Sequence, residues 1–173
     1  MAQQNTALTF APQSEPLQVL TFDLGGETFA LEAGMVREVI DLTAETLVPG
    51  APAFVSAVIN FRGRVIPLSD LRPVFQLEAR GPTIDSRIVV IEYELDGDPT
   101  LIGLRADKVY EVTSIDPADT EAPPRVGLKW RPELIRCLAR RDGDLIVVPD
   151  FHQIFQTGGA ASAPVIPLNS RQA

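Results

Sequence analysis

Residues 65–75, Val-Ile-Pro-Leu-Ser-Asp-Leu-Arg-Pro-Val-Phe, and residues 145–155, Leu-Ile-Val-Val-Pro-Asp-Phe-His-Gln-Ile-Phe, follow one pattern. Each is an apolar run closed by an Asp and followed by two large apolar residues at i and i+4, Leu71 with Phe75 and Phe151 with Phe155. Each also begins at a glycine turn, Arg62-Gly63-Arg64 in one and Asp142-Gly143-Asp144 in the other. A second echo lays Phe29 to Val39 over Ile102 to Val112, and both copies end in Val-x-Glu-Val. Two collinear echoes make the chain a pair of related halves, so one folding plan must be executed twice. Each half reads as hairpin, short helical turn, Val-x-Glu-Val strand, connection, hairpin and capped helix. Five or so short strands per unit are too few for an open sandwich. The expected fold is mainly β: two pseudo-symmetric, small five-stranded β-barrel subdomains with short helices, closed or nearly closed. Closure also removes sheet edges that invite aggregation.

Punctuation along the chain agrees. Of 15 prolines, eleven fall between residues 17 and 160, which interrupts long helices and suits short strands joined by turns. Gln18 to Leu24, the Gly25-Gly26 turn and Thr28 to Leu31 read as a hairpin. Arg87 to Leu95 and Thr100 to Leu104 flank Asp96-Gly97-Asp98-Pro99, another turn signal. Leu145 to Val148 reads as a strand covered on both faces. Brief helical segments are expected at Ala33 to Val36, Pro52 to Ala57, Asp70 to Gln76, Arg131 to Ile135 and Asp150 to Gln156. Asp70 and Asp150 are the expected N-caps, their carboxylates accepting unpaired N–H groups of a first turn. Residues 1–16 read as a flexible leader, 17–156 as one domain of two subdomains, and 157–173 as a flexible tail.

Composition narrows function mostly by exclusion. A net charge of −8 argues against nucleic-acid binding, which needs a basic surface. It also disfavours docking on anionic lipid. The lone Cys137 excludes an internal disulfide and a Cys-based zinc site, and its apolar setting reads as packing. The chain carries no signal-like leader and no run approaching 18 apolar residues, which makes a cytoplasmic protein the expectation. His152 is the only histidine, so neither a His-pair metal site nor a relayed nucleophile has support. Asp70 and Asp150 form the one imaginable carboxylate pair, and their equivalent capping positions argue against a small hydrolase built on them. No enzyme activity, metal or cofactor is expected. The distinctive polar residues are Glu38, between valines of a strand, and Arg62, at a turn. They read either as half-solvated surface groups, worth about 0–1 kcal/mol as an ion pair, or as parts of a protein-binding surface.

These residues resemble the CheW-like proteins, coupling scaffolds of bacterial chemosensory arrays. The carriers are Val19 to Leu31, Val36-Arg37-Glu38-Val39, Pro52-Ala53-Phe54-Val55, Asn60-Phe61-Arg62-Gly63 and Ile66-Pro67-Leu68-Ser69-Asp70-Leu71-Arg72. The Asn-x-Arg-Gly element followed by Ile-Pro-x-x-Asp-Leu-Arg is specific in combination. The resemblance covers residues 17–156 and implies two intertwined, SH3-like barrels with no enzymatic activity. It implies two partners: the cytoplasmic hairpin tip of a chemoreceptor and the regulatory domain of the chemotaxis histidine kinase. It further implies recruitment to membrane-associated receptor arrays, in swimming chemotaxis or in a non-motility pathway such as pilus or second-messenger control. By residue-to-residue matching, Val36, Glu38, Ala57, Val58, Asn60, Arg62 and Gly63 fall at the receptor-facing groove and its support, with Glu38 and Arg62 able to pair. The chain departs from the family pattern at Ala57 and Cys137, where Gly is frequent, and at Phe61, where Leu is frequent. The charge reversal between equivalent turns reads either as solvated turn charges or as a docking surface, with Asp142 and Asp144 as the expected kinase-binding residues. Such unlike faces dock head-to-tail rather than on themselves.

Overall fold

A computed structural model describes residues 14–157. Its framework is four two-residue hairpin turns, at Gly25-Gly26, Arg62-Gly63, Asp96-Gly97 and Asp142-Gly143. Both residues of every turn have positive φ, from 50° at Arg62 to 87° at Gly143. That geometry matches the twist of the flanking strands, and glycine at the second position adopts it without strain. The hairpins join β1 (Leu17–Leu24) to β2 (Glu27–Glu32), β5 (Ala57–Phe61) to β6 (Arg64–Ser69), β7 (Arg87–Leu95) to β8 (Asp98–Ala106), and β11 (Ile135–Arg141) to β12 (Asp144–Pro149). The remaining strands are β3 (Val36–Asp41), β4 (Glu45–Leu47), β9 (Lys108–Ile115) and β10 (Thr120–Glu121). The predicted turn at 96–99 is two residues shorter, because Asp98 and Pro99 pair with Leu95 and Glu94 in β7–β8.

The duplication governs the topology. One six-stranded sheet runs β4-β5-β6-β8-β7-β3 and the other β10-β11-β12-β2-β1-β9, the same order with the halves exchanged. Each half therefore lends its first hairpin to the other half's sheet. The seams of the exchange are the parallel pairs β6–β8 and β12–β2. The outer strands of each sheet are consecutive in sequence: residues 42–44 join β3 to β4, and a short turn at Pro117–Asp119 joins β9 to β10. Such short connections roll each sheet toward closure, so the two subdomains are barrel-like, intertwined and six-stranded rather than five. The first barrel carries the Arg62 turn and the second the Asp142 turn.

Three apolar clusters follow from this arrangement. Neighbouring β1 residues part company: Val19 enters the second barrel with Ala30, Ile115, Cys137, Ala139, Ile146 and Val148, while Leu20 enters the layer between barrels. That middle layer holds Phe22, Phe29, Phe75, Trp130 and Phe151, with Phe29 tilted on Phe75 at 5.2 Å and Trp130 edge-on to Phe75 at 5.8 Å. The first barrel is filled by Ala57, Ile59, Phe61, Ile66, Leu68, Ile88 and Val90. Strands buried on both faces explain the continuous apolar run Ile146–Val148, whereas Leu145, expected to be covered with them, is exposed beside the turn. Each buried Ile, Leu or Phe contributes roughly 1.5–3 kcal/mol. Cys137 lies within the second barrel and burial pushes its thiol pKa up, in keeping with a packing role.

Helix is scarcer than expected. Single 3₁₀ turns stand at Ala33–Met35, Ala53–Val55 and Pro132–Leu134, and the one α-helix among the described residues is α1 (Phe151–Gln156). Asp150 caps α1 by accepting from the Gln153 N–H at 3.0 Å. The equivalent segment after Asp70 is a succession of turns, not the predicted helix. Proline occupies position 73, where Gln153 stands in the other half, and it has no N–H to donate to the cap. Asp70 instead accepts from the Arg72 N–H at 2.9 Å and from the Arg72 guanidinium, and the turn ends at Gln76 with φ 53°. The leader and tail, apart from residues 14–16 and Thr157, lie outside the described residues.

Candidate docking surface

The Arg62 turn is built outward from a buried anchor. Phe61 is the last residue of β5 and fills the mouth of the first barrel, while Asn60, on the opposite face, is exposed. The Asn60 side-chain oxygen accepts from the Gly63 N–H at 3.0 Å, fixing the turn. Arg62 then sits at φ 50°, a conformation costing a non-glycine residue about 1–2 kcal/mol. Its guanidinium lies 5.6 Å from the Phe61 ring centroid and grips one Glu38 oxygen through Nε at 3.0 Å and Nη2 at 2.8 Å. Glu38 belongs to β3, the outer strand on the far margin of the same sheet. The pair thus spans the side of the barrel that backbone pairing leaves open, because β4 reaches β5 only from Ala57 to Ile59. The Arg62 side chain is 72% exposed, which limits the pair to about 0–1 kcal/mol. The strain in the turn is at least as large as what the pair returns, so this arrangement is not held for stability.

Around the pair, the residues matched from sequence divide. Val36 is half-buried at the start of β3, beside a bulge in its pairing with β7. Ala57 is buried inside the barrel and Val58 half-buried on its outer wall, whereas Asn60, Arg62 and Gly63 are exposed. β3 is held to β7 by Arg37 and Glu92, at 2.8 and 3.2 Å, and by Arg87 and Asp41 at 3.4 Å. The Arg37 guanidinium holds the Glu92 carboxyl below the usual carboxylate range.

The counterpart surface carries the opposite sign. Asp142, at φ 52°, and Asp144 are exposed, and the residue matching Glu38 is Glu111. With acids at both places, no equivalent of the Arg62–Glu38 pair forms. The second barrel is tied instead by Arg141, which donates to the Thr113 hydroxyl of β9 and lies 3.6 Å from Asp142.

Exposed apolar residues complete the picture, and sequence reading passed over them. Val39 on β3 and Tyr110 and Val112 on β9 are between 39% and 55% exposed. A groove of about 300 Å³ lies where the barrels meet, lined by Leu20, Val39, Val109, Tyr110, Lys108 and Arg87 among others. The Tyr110 hydroxyl donates to Asp23 at 2.5 Å, a bond that raises its pKa, and the Lys108 ammonium stands 5.5 Å from the ring centroid. The Val-x-Glu-Val echo already set Val39 and Val112 in equivalent places.

No helix among the described residues is long and apolar enough to cross a membrane, and no group of three His, Cys, Asp or Glu among them is placed to hold a metal ion. Asp70 and Asp150 are each engaged at their own turn, as given above. Comparison with known proteins supplies the rest. The family model of the CheW-like domain matches residues 18–158. The chain is 27% identical to "Chemotaxis protein CheW" of Treponema pallidum, over 85% of its own length and 86% of the relative's. It is 26% identical to the protein of that name from Thermotoga maritima, covering 86% of the chain and 93% of the relative. Among solved structures, the scaffolding protein TtCheW of Thermoanaerobacter tengcongensis superposes with a TM-score of 0.72 at 32% identity, over 86% of this chain and 98% of that one.

Proposed function

The chain belongs to the CheW-like family, and from that premise we propose that it is a non-enzymatic scaffold coupling chemoreceptors to the chemotaxis histidine kinase in cytoplasmic arrays. The observation that carries this reading is the Arg62 turn: a strained, exposed arginine locked to Glu38 on one barrel, with acids at the equivalent turn of the other. Energy spent on an exposed geometry that adds little stability fits selection for a partner's surface.

In this reading a receptor tip, a helical hairpin, lies on the first barrel near Val36, Val58, Asn60, Arg62 and Gly63. Ala57 supports that surface from inside. The inter-barrel groove beside Val39 and Tyr110 supplies apolar area for a helix face. Apolar contact provides most of the affinity, and Arg62 with Glu38 fixes orientation. The kinase's regulatory domain meets the Asp142 and Asp144 face. Because that face and the Arg62 face are unlike, successive modules join head-to-tail and extend into rings or arrays.

Purified wild type, Arg62→Ala and Asp142→Arg, each verified as folded by circular dichroism, test this in pull-downs with receptor fragments and kinase. Loss of receptor capture by Arg62→Ala and of kinase capture by Asp142→Arg supports the assignment; retention of both by both variants refutes it. A second reading, service in a non-motility chemosensory pathway, draws on 33% identity to "Protein PilI" of Pseudomonas aeruginosa over 60% of this chain and 57% of that protein. Mass spectrometry of the receptors co-purified from native lysate separates the two.

A further inference from the structure

Beside α1 lies a cavity of about 330 Å³ that shares no lining residue with the groove of Val39 and Tyr110. Leu31, Met35 and Phe151 give it apolar walls, and Glu32, Arg136, Asp150, His152 and Tyr93 supply polar ones. Arg136 donates to Glu32, and the Tyr93 hydroxyl meets Nδ1 of His152 at 3.0 Å. Asp150 is left over. One of its oxygens accepts from the Gln153 N–H at 3.0 Å, and the other has no partner among the described residues. Its charge is felt in the cavity: burial, then the negative charges of Asp150 and Glu94, raise the Tyr93 pKa.

The first half shows what such a carboxylate holds. Asp70, the counterpart of Asp150, takes Nε of Arg72 on both oxygens, at 3.0 and 3.1 Å, and Arg105 stands 3.9 Å away. Nη1 of Arg72 goes on to the Arg80 carbonyl at 2.9 Å. Neither arginine is repeated in the second half, where His152 stands for Arg72 and Glu32 for Arg105. With His152 on Tyr93 and Arg136 on Glu32, the described residues bring no cation into an ion pair with Asp150.

We propose that this cavity binds a guanidinium on an alkyl stem, the group that arginine carries, with its charge on Asp150 and its stem along Leu31, Met35 and Phe151. A planar fork of N–H donors matches a carboxylate whose second oxygen is open, and a guanidinium is hydrated weakly enough to enter a half-buried site. The methylene stem covers apolar wall. The volume stands at the lower end of small-ligand sites, roughly 300–1,000 Å³.

Met35 offers a direct probe, since the full chain has only two methionines, Met1 and Met35. With methyl-labelled methionine, Nα-acetyl-arginine methylamide is expected to shift the Met35 signal saturably. The matching lysine derivative should bind at least about tenfold more weakly, because its ammonium lacks the fork. Asp150→Asn keeps a side-chain oxygen for the α1 cap and should lower the affinity for capped arginine by about tenfold or more. His152→Arg rebuilds the Asp70–Arg72 pair in the second half, so its own guanidinium should exclude the ligand. Free arginine forms the remaining arm, and both of its outcomes support the site. Binding equal to the capped form assigns it to dissolved arginine, and preference for the capped form assigns it to an arginine side chain of a partner protein. A Met35 signal that no arginine derivative moves overturns the proposal. Equal affinity in wild type, Asp150→Asn and His152→Arg overturns it as well.

Discussion

The turns at Arg62 and Asp142 occupy the same place in two copies of one plan, with the same backbone and opposite charge. At Asp142 the left-handed position holds a residue type that tolerates it, and the barrel is tied by a neighbour, Arg141. At Arg62 it holds a long cation that does not favour it and that reaches across to Glu38. A duplicated fold thus separates two kinds of constraint. What both copies share is what the barrel requires, and what only one copy has marks its particular work.

The interiors differ in a compensated way, and breaking that compensation gives the largest expected effect. The first barrel has Ile59 and Gly103 where the second has Ala139 and Ala30. A Cβ on Gly103 would meet Ile88 at 3.1 Å, Leu68 at 3.2 Å and Ile59 at 3.4 Å. Ile59→Ala is expected to cost about 2–5 kcal/mol in urea unfolding, as a cavity opens. Gly103→Ala should cost about 1–3 kcal/mol by overpacking. In the double variant the second change should cost less than it does alone, because the space is then shared. Strict additivity contradicts the compensation.

The turns themselves come next. Arg62→Asn produces the Asn-Gly pair preferred at such hairpins and should raise stability by about 0.5–1 kcal/mol, read as a shift in urea midpoint, while weakening receptor capture. Asp142→Asn, starting from a residue already tolerant of the conformation, should move the midpoint far less. Equal gains at both turns remove the claimed asymmetry in strain.

The smallest effect concerns pH and Cys137, whose counterpart is Ala57. Burial raises the Cys137 pKa, and the bond to Asp23 raises that of Tyr110. A raised folded pKa means the folded state holds the proton more tightly. That stabilisation is complete below the ordinary thiol value of about 8.5 and the phenol value of about 10, and is lost as pH rises through the folded values. Stability should therefore fall on the alkaline side, with a shallower fall in Cys137→Ala. An unchanged alkaline profile in that variant places the loss elsewhere.

Much of the fold was legible because its signals are local. The hairpins at Gly25-Gly26 and Asp142-Gly143 need only a turn dipeptide between alternating runs. The Asp70 segment failed as a helix for an equally local reason, proline at the third position of the cap. The exchange of hairpins between halves was not legible from residues alone. Val147 pairing with Phe29 rather than with its own half's first hairpin is a long-range choice that no window of sequence carries. In the site, Glu38 and Arg62 stand 24 residues apart, and only the resemblance brought them together. Val39 and Tyr110 carried no outward signal in the sequence, because what they face depends on how the two barrels meet.

The central claim, that Arg62 with Glu38 orients a receptor while Asp142 faces the kinase, is tested most directly by one measurement. Kinase activation is compared in reconstituted receptor arrays for wild type, Glu38→Arg, Arg62→Glu and the charge-swapped double variant, all verified as folded. The account predicts that each single reversal abolishes activation and lowers receptor binding while leaving kinase binding intact, with the swapped pair recovering part of the activation. Full activation by Arg62→Glu, or loss of kinase binding in place of receptor binding, contradicts it.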